Sequence, residues 1–204
     1  MSETGIQKKL GADPWKAFEI WFDEAYQTTL KNPNAMIVST VGEDSRPSTR
    51  TVLLKHWSKK DGFVFFTNYN SRKGSDLENN PNCSALFFWD DLERQIRIEG
   101  VVKKTSRKVN EEYFSSRPRN SQIGAWASHQ SAQLNNREEL VSAIGQYEEK
   151  FKDADIPLPD FWGGYSITPS SFEFWQGVPD RLHERLIFKL NEAGSVENSY
   201  LLNP

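Results

Sequence analysis

The sequence has little of what disulfide frameworks and metal centres need. Its 204 residues include one cysteine, Cys83, and three histidines. A single cysteine cannot form a disulfide within the chain, and no histidine has an acidic or cysteine partner at metal-ligand spacing. We therefore expect no metal site, and the unpaired thiol favours a cytoplasmic location.

Long apolar runs and a strong excess of one charge are also missing. No segment reaches the roughly 20 apolar residues of a membrane-spanning helix, and residues 1–10 lack the apolar core of a signal peptide. The 25 Lys and Arg residues are nearly balanced by 28 Asp and Glu residues, which gives a net charge of −3. The sequence thus predicts no membrane and no nucleic-acid partner, and any anion site must be local. Walker A, G-x-G-x-x-G and G-x-S-x-G motifs are absent as well.

Aromatic residues, by contrast, make up 13% of the chain. Together with β-branched residues they form short runs typical of strands, at residues 35–41, 48–57, 62–68, 83–89, 93–104, 165–168, 171–175 and 181–190. Helical spacing predicts a helix that starts at Asp13-Pro14 and others over residues 71–79, 107–116 and 137–151. Because the helices interrupt the strands without alternating with them, we expect a mainly β fold, an antiparallel barrel with peripheral helices. A short arm, residues 1–12, would precede a single domain, residues 13–204.

A basic stripe is predicted near the carboxyl end of the chain. Alternate side chains of a strand share a face, so Arg181, His183 and Arg185 would line one side of strand 181–190. Such a stripe can contact an extended anion, and a solvated strand face has the same pattern. The preceding Phe172 to Trp175 can either wall a flat heterocycle or pack in the core.

A second basic cluster combines a strand with a helix start. Arg72 and Lys73 follow Ser71 at the start of a predicted helix, where cations oppose the helix dipole unless an anion joins them. This favours a phosphate site, with two solvated surface residues as the alternative. Arg50 and Lys55 lie nearby in sequence but five residues apart, so a regular strand would point them to opposite faces. The sequence leaves open whether a bulge intervenes or the two faces serve different sites.

A third cluster surrounds the end of the helix over residues 107–116. Tyr113 and Arg117 are four residues apart and share a helix face, and Pro118 stops the helix so that Ser121 can turn back toward them. Two hydroxyls and a guanidinium would form a second anion pocket. The alternative is a capped helix end with a solvent-facing arginine.

Taken together, these motifs resemble the pyridoxine 5′-phosphate oxidase family. The resemblance runs from about Asp13 to Phe188 and depends on the joint occurrence of many short motifs in this order. They are Arg50-Thr-Val-Leu-Leu-Lys55, Phe65-Phe-Thr-Asn68, Ser71-Arg-Lys73, Glu78-Asn-Asn-Pro81, Glu93-Arg-Gln95, Tyr113-Phe-x-Ser-Arg-Pro-Arg119, Ser121-Gln-Ile-Gly-Ala-Trp126, Phe161-Trp-Gly-Gly164, Glu173-Phe-Trp-Gln-Gly177 and Arg181-Leu-His-x-Arg185.

The resemblance implies an FMN-binding split β-barrel, antiparallel and Greek-key-like, that forms a homodimer with FMN at the subunit interface. It implies FMN binding by Arg50, Thr51, Val52, Leu53, Lys55, Phe66, Thr67, Arg72, Lys73, Gln95, Gln130, Ser131, Trp175 and Arg185. It implies substrate binding by Lys55, Tyr113, Arg117, Ser121, Arg181 and His183. Of these, Arg181 would orient the pyridine ring, with His183 as its hydrogen-bonding partner or a proton acceptor.

The activity implied is oxidation of pyridoxine 5′-phosphate and pyridoxamine 5′-phosphate to pyridoxal 5′-phosphate, with O₂ reduced to hydrogen peroxide. Two alternatives stay open: a related flavin oxidase acting on another planar substrate, such as a phenazine precursor, and a non-catalytic binder of FMN or pyridoxal phosphate. The chain departs from the family at both ends. Family members usually carry a longer basic N-terminal arm and a different C-terminal motif from Tyr200-Leu-Leu-Asn-Pro204.

Overall fold

The computed structural model describes residues 5–204, which form a curled antiparallel sheet, a half-barrel, with helices packed against it. The strands are β1 (Ala35–Val41), β2 (Pro47–Leu53), β3 (His56–Ser58), β4 (Gly62–Asn68), β5 (Asn82–Trp89), β6 (Arg94–Lys104), β7 (Trp162–Gln176), β8 (Glu184–Leu190) and β9 (Val196–Leu202). The helices are α1 (Gly5–Leu10), α2 (Pro14–Tyr26), α3 (Arg72–Asn79), α4 (Arg107–Ser116), α5 (Arg119–Ala127) and α6 (Arg137–Lys150). The predicted mainly β class is confirmed.

Every strand pair in this sheet is antiparallel, in the order β2-β1-β5-β6-β7-β4-β3, with β8 on β7 and β9 on β8. Strand β7 is the centre of the sheet because it pairs with three strands. Strand β6 pairs along most of the 15 residues of β7, β4 pairs with its first part and β8 with its last part. The two strands predicted at 165–168 and 171–175 are therefore one strand. A register shift between Glu99 and Gly100 of β6 accommodates the part of β7 that contains Pro169.

Helix α2 supplies much of the aromatic core. The Asp13 side chain accepts a hydrogen bond from the backbone N–H of Trp15 at 2.9 Å, and Pro14 occupies the first helical position, as predicted. Its apolar face buries Trp15, Phe18 and Trp21 against the concave face of the sheet. The first helix of the predicted domain is thus a structural element of the core.

The strand predicted over residues 48–57 is wrong in one respect, because the chain leaves the sheet between β2 and β3. Leu54 turns inward and is buried, and the backbone N–H of Lys55 donates to the carbonyl of Val64 at 2.8 Å. Side-chain alternation is therefore interrupted between Arg50 and Lys55. Of the two alternatives left open by the sequence, an irregularity between these residues is the one observed.

The strand predicted over residues 181–190 is wrong at its start. Strand β8 begins at Glu184, and Pro179–Arg181 forms a 3₁₀ turn in which Asp180 and Arg181 both have a φ of 60°. Proline lacks the N–H that a sheet ladder needs and favours a turn, and the left-handed residues then redirect the chain. Arg181, His183 and Arg185 therefore do not form one alternating stripe.

Three elements were not predicted: α1, α5 and β9. Helix α1 lies in the predicted arm and buries Ile6 and Leu10, whereas residues 1–4 of that arm lie outside the described residues. The division into an arm and one domain stays a prediction. Across residues 5–204, no helix has both the length and the apolar composition that crossing a bilayer requires.

Replacement of Phe18 by Ala tests the aromatic core. The Phe18 side chain is fully buried, with ring centroids of Trp57, Phe63 and Phe87 at 4.9, 4.8 and 5.3 Å. We expect the free energy of unfolding, measured by chemical denaturation, to fall by about 3–5 kcal/mol because a cavity forms. Ile20→Ala on the exposed side of α2 is the control, with an expected loss under about 1 kcal/mol. Equal losses in the two variants would contradict this assignment of the core.

Candidate functional site

A cavity of about 740 Å³ lies between β2, β4, the start of α3, and the region where α4 meets α5. Within residues 5–204, five cationic residues and no acidic residue line it. The cavity brings together most of the predicted site residues: Arg50, Thr51, Val52, Leu53, Lys55, Phe66, Thr67, Arg72, Lys73, Tyr113, Arg117, Ser121, Gln130 and Ser131. A concentration of positive charge in a chain of net charge −3 indicates a site for anions.

Arg50 is held at one end of the cavity by neighbouring strands. Its Nη1 donates to the carbonyl of Val38 at 3.1 Å and to Thr40 Oγ1 at 2.7 Å, and its Nη2 donates to Ser48 Oγ at 2.8 Å. The nearest carboxylate oxygen, on Asp76, is 3.8 Å from Nη2. Burial nevertheless lowers the pKa of the Arg50 guanidinium, so its charge is only partly compensated.

Lys73 is a buried lysine beside Arg50. Its Nζ donates to Thr67 Oγ1 at 2.9 Å, to Ser71 Oγ at 3.0 Å and to Gln130 Oε1 at 3.1 Å, and none of these partners is charged. Burial, and then the charge of Arg50, lower the pKa of the Lys73 amine to about 8. We call Arg50, Arg72, Lys73 and the polar groups around them the Lys73 subsite.

Arg117 lies at the junction of α4 and α5. Its guanidinium contacts aromatic rings, whereas that of Arg50 and the amine of Lys73 contact polar groups. The guanidinium carbon is 4.6 Å from the ring centroid of Trp162 and 5.7 Å from that of Phe114. Its Nη1 is buried and has no hydrogen-bond partner among the described residues, and burial lowers the pKa of the group. A buried donor without a partner fits an anion that the chain itself does not supply.

Lys55, Tyr113 and Ser121 line the same cavity as Arg117, and we call these four residues the Arg117 subsite. Lys55 Nζ lies 6.0 Å from the ring centroid of Tyr113. Ser121 belongs to α5, a helix absent from the predicted elements, so it is presented by a helix and not by a turn. The wall of the cavity therefore contains two clusters of anion-binding groups.

Trp162 also lines this cavity, although the sequence analysis did not assign it to the site. It pairs with Asn68 at the end of β4, the strand that carries Phe66 and Thr67. Its place in the site depends on this strand pairing, which is why the residue pattern did not indicate it. Sequence alone does not reveal which strand lies beside which.

The other predicted site residues lie outside this cavity. Gln95, Trp175 and Arg185 are register neighbours across β6, β7 and β8, and the ring centroid of His183 is 4.7 Å from that of Trp175. Arg185 Nε donates to Glu173 Oε1 at 2.8 Å. A single chain therefore divides the predicted residues between the cavity and what we call the β7 group: Gln95, Trp175, Arg181, His183 and Arg185.

Arg181 is the most unusual member of the β7 group. It and Asp180 adopt left-handed backbone conformations that are unfavourable for residues with a side chain. The Arg181 side chain is exposed and forms no hydrogen bond or ion pair with another described residue. The turn thus presents a guanidinium that residues 5–204 leave unpaired.

Comparisons with known proteins agree with the resemblance. Residues 22–151 match the family described as pyridoxamine 5′-phosphate oxidase, and residues 162–203 match the pyridoxine 5′-phosphate oxidase C-terminal dimerisation region. Two relatives are both called pyridoxine/pyridoxamine 5′-phosphate oxidase. The one from Aliarcobacter butzleri is 50% identical over 92% of this chain and 88% of its own, and the one from Psychromonas ingrahamii is 52% identical over 88% and 82%.

Solved structures add a second similarity. PhzG from Burkholderia lata 383, in complex with tetrahydrophenazine-1-carboxylic acid, superposes with a TM-score of 0.89 and 26% identity over 100% of this chain and 98% of its own. An FMN-binding protein from Nostoc punctiforme related to pyridoxamine 5′-phosphate oxidase has a TM-score of 0.73 at 13% identity, over 96% of this chain and 100% of its own, which shows the shared fold alone.

Titration of Lys73 should control anion binding at its subsite. A bound phosphate favours the charged amine, so affinity should be flat below pH 8 and fall by up to about tenfold per pH unit above it. The measurement is calorimetric titration with inorganic phosphate between pH 7.5 and 9.5. The protein is the Arg117→Ala variant, freed of any bound ligand, so that the Lys73 subsite is empty and the other subsite is disabled. Protein that also carries Lys73→Met should bind phosphate weakly at every pH. An unchanged affinity up to pH 9.5 would contradict the assignment.

Proposed function

Because the chain belongs to the pyridoxamine 5′-phosphate oxidase family, we propose that it oxidises pyridoxine 5′-phosphate and pyridoxamine 5′-phosphate to pyridoxal 5′-phosphate, with O₂ as the electron acceptor and hydrogen peroxide as the second product. The observation that carries the proposal is the presence of two anion subsites in one cavity. One subsite would hold the phosphate of the cofactor, and the other would hold the phosphate of the substrate.

The Lys73 subsite fits the phosphate of FMN, the cofactor implied by the family. Two guanidinium groups and a buried amine can neutralise a phosphate dianion, and none of the described residues that line the cavity is acidic. Val52, Leu53 and Phe66 would provide apolar contacts to the ring system from β2 and β4. When bound, FMN supplies an acceptor for two electrons from the substrate and a donor to O₂.

The Arg117 subsite would bind the phosphate of the vitamer. Lys55 and Arg117 would supply positive charge, and Tyr113 and Ser121 would supply hydroxyl donors. The phosphate bound there is a part of the substrate remote from the C4′ group that reacts. Binding energy at such a remote group positions the substrate and lowers the entropic cost of the reaction.

The β7 group would complete the site from the partner subunit of a homodimer. Four of its members, Trp175, Arg181, His183 and Arg185, lie within the segment that matches the dimerisation region, and Gln95 pairs with Trp175. The exposed Arg181 would then orient the pyridine ring, with His183 as its hydrogen-bonding partner or a proton acceptor. A cytoplasmic location stays a prediction from the single cysteine.

A second candidate function is oxidation of a phenazine precursor, which the similarity to PhzG favours. Identity to the pyridoxine/pyridoxamine 5′-phosphate oxidases is about twice as high. The Arg117 subsite separates the two substrate classes, since it would serve a phosphorylated substrate. A non-catalytic binder of FMN or pyridoxal phosphate would keep both subsites without turnover.

An oxygen-electrode assay tests the proposal directly. The purified protein should be yellow with FMN, or become so on reconstitution, and should consume O₂ with phosphorylated vitamers. Unphosphorylated pyridoxine should react at least about a hundredfold less efficiently, because it forgoes charge-assisted hydrogen bonds at the Arg117 subsite. A protein that binds FMN but does not turn over would be a binder, and a preference for an unphosphorylated substrate would favour the phenazine alternative.

Arg181→Ala should separate catalysis from phosphate binding. We expect kcat for peroxide production to fall by at least about tenfold, while FMN content and inhibition by inorganic phosphate are preserved, because Arg181 lies outside both subsites. Unchanged turnover would remove Arg181 from the mechanism.

Subunit mixing then tests whether Arg181 acts across the interface. Arg181→Ala dimers exchanged with Arg117→Ala dimers would form heterodimers with one intact site. Activity should recover toward about a quarter of the wild-type value, as expected for a site shared between two symmetric subunits. No recovery despite demonstrated exchange would place both residues in the site of one chain.

A further inference from the structure

Three aromatic rings form a stack in the wall of the cavity. The ring centroid of Phe66 lies 3.9 Å from that of Tyr113 and 5.6 Å from that of Trp162, with interplanar angles of 16° and 12°. The rings of Tyr113 and Trp162 are inclined to each other by only 5°. Rings from α4, β4 and β7 are thus aligned in one direction, and we call them the aromatic stack.

Cationic groups of the Arg117 subsite lie over two members of this stack, Tyr113 and Trp162. Lys55 Nζ is 6.0 Å from the ring centroid of Tyr113, and the Arg117 guanidinium is 4.6 Å from that of Trp162. A cation over an aromatic face is attracted by the ring quadrupole, more strongly where water is excluded. Trp162 is 6% exposed, so its contact with Arg117 is shielded from solvent.

Two ring faces, those of Trp162 and Phe114, orient the Arg117 side chain. Within residues 5–204 the guanidinium forms no ion pair and no side-chain hydrogen bond, and its close partners are the faces of Trp162 and Phe114. A ring face fixes the plane of a guanidinium without occupying its N–H groups. An aspartate or glutamate in the same place would occupy those groups and compete with an anionic ligand.

We propose that Trp162 is a positioning residue for the substrate: its ring holds the Arg117 guanidinium in a plane that leaves the buried Nη1 free to bind the phosphate. Trp162 is itself held by the edge of Phe114, at 5.2 Å and 68°, and by the pairing of β7 with β4. The inference deepens the proposed function and rests on it, since it names what sets the affinity of the Arg117 subsite.

Kinetics of the holoenzyme test the proposal. Trp162→Leu should raise both the KM for pyridoxine 5′-phosphate and the inhibition constant of inorganic phosphate by about tenfold, equivalent to about 1.4 kcal/mol. FMN content and kcat should change less than about twofold, because neither the Lys73 subsite nor the β7 group is touched. Trp162→Phe keeps a ring face and should raise both constants by less than about threefold.

The control is Trp126→Leu, the same substitution in the hydrophobic cluster that contains Trp162. Trp126 packs on Tyr147 and Phe151 and does not line the cavity, so its loss should leave both constants unchanged. Unchanged constants in Trp162→Leu, or equal rises in the two leucine variants, would overturn the proposal.

A double-mutant comparison keeps the proposal testable if Trp162→Leu does not fold. Trp162→Met, which keeps most of the volume but no ring face, should raise KM by about tenfold in the wild-type background. In an Arg117→Ala background it should have no further effect on KM, because the ring then has no guanidinium to hold. An equal effect in both backgrounds would overturn the positioning role. If the wild-type protein shows no turnover, the proposed function fails, while calorimetry with inorganic phosphate still measures whether Trp162 affects the Arg117 subsite.

Discussion

Incompletely compensated positive charge is the constraint on which the rest of the site depends. Five cationic side chains line one cavity whose wall, within residues 5–204, contains no carboxylate. Burial lowers the pKa of Arg50, Lys73 and Arg117, which shows that the protein bears a cost for keeping them charged there. Anions that bind in the cavity offset this cost. The arrangement of positive charge therefore favours ligands that carry phosphate groups.

The fold produces this arrangement through irregularities more than through regular strands. The break between β2 and β3 allows Arg50 and Lys55 to line one cavity, and the junction of α4 and α5 places Arg117 beside Ser121. Hydroxyl and amide groups bind the Lys73 amine, and no acidic side chain among the described residues pairs with it, so its charge is available to a ligand. Aromatic faces do the same for Arg117. Both solutions hold a cation in place without neutralising it.

Much of this could be predicted from the sequence, because the signals were local. The bounds of β1, β4 and α4 follow directly from residue patterns, as does the start of α2 at Asp13-Pro14. The failures arose where backbone geometry departs from its regular period, as in the turn at Pro179, or where the information is non-local. The contact of Trp162 with Arg117 depends on the pairing of β7 with β4, which no spacing within the sequence encodes.

The central claim is that the cations divide into two independent phosphate sites. Phosphorus-31 NMR of the protein saturated with FMN and pyridoxal 5′-phosphate tests this most directly. The account predicts two bound resonances, of which Lys73→Met perturbs one and Arg117→Ala perturbs the other. A single bound resonance, or one resonance perturbed by both substitutions, would contradict it.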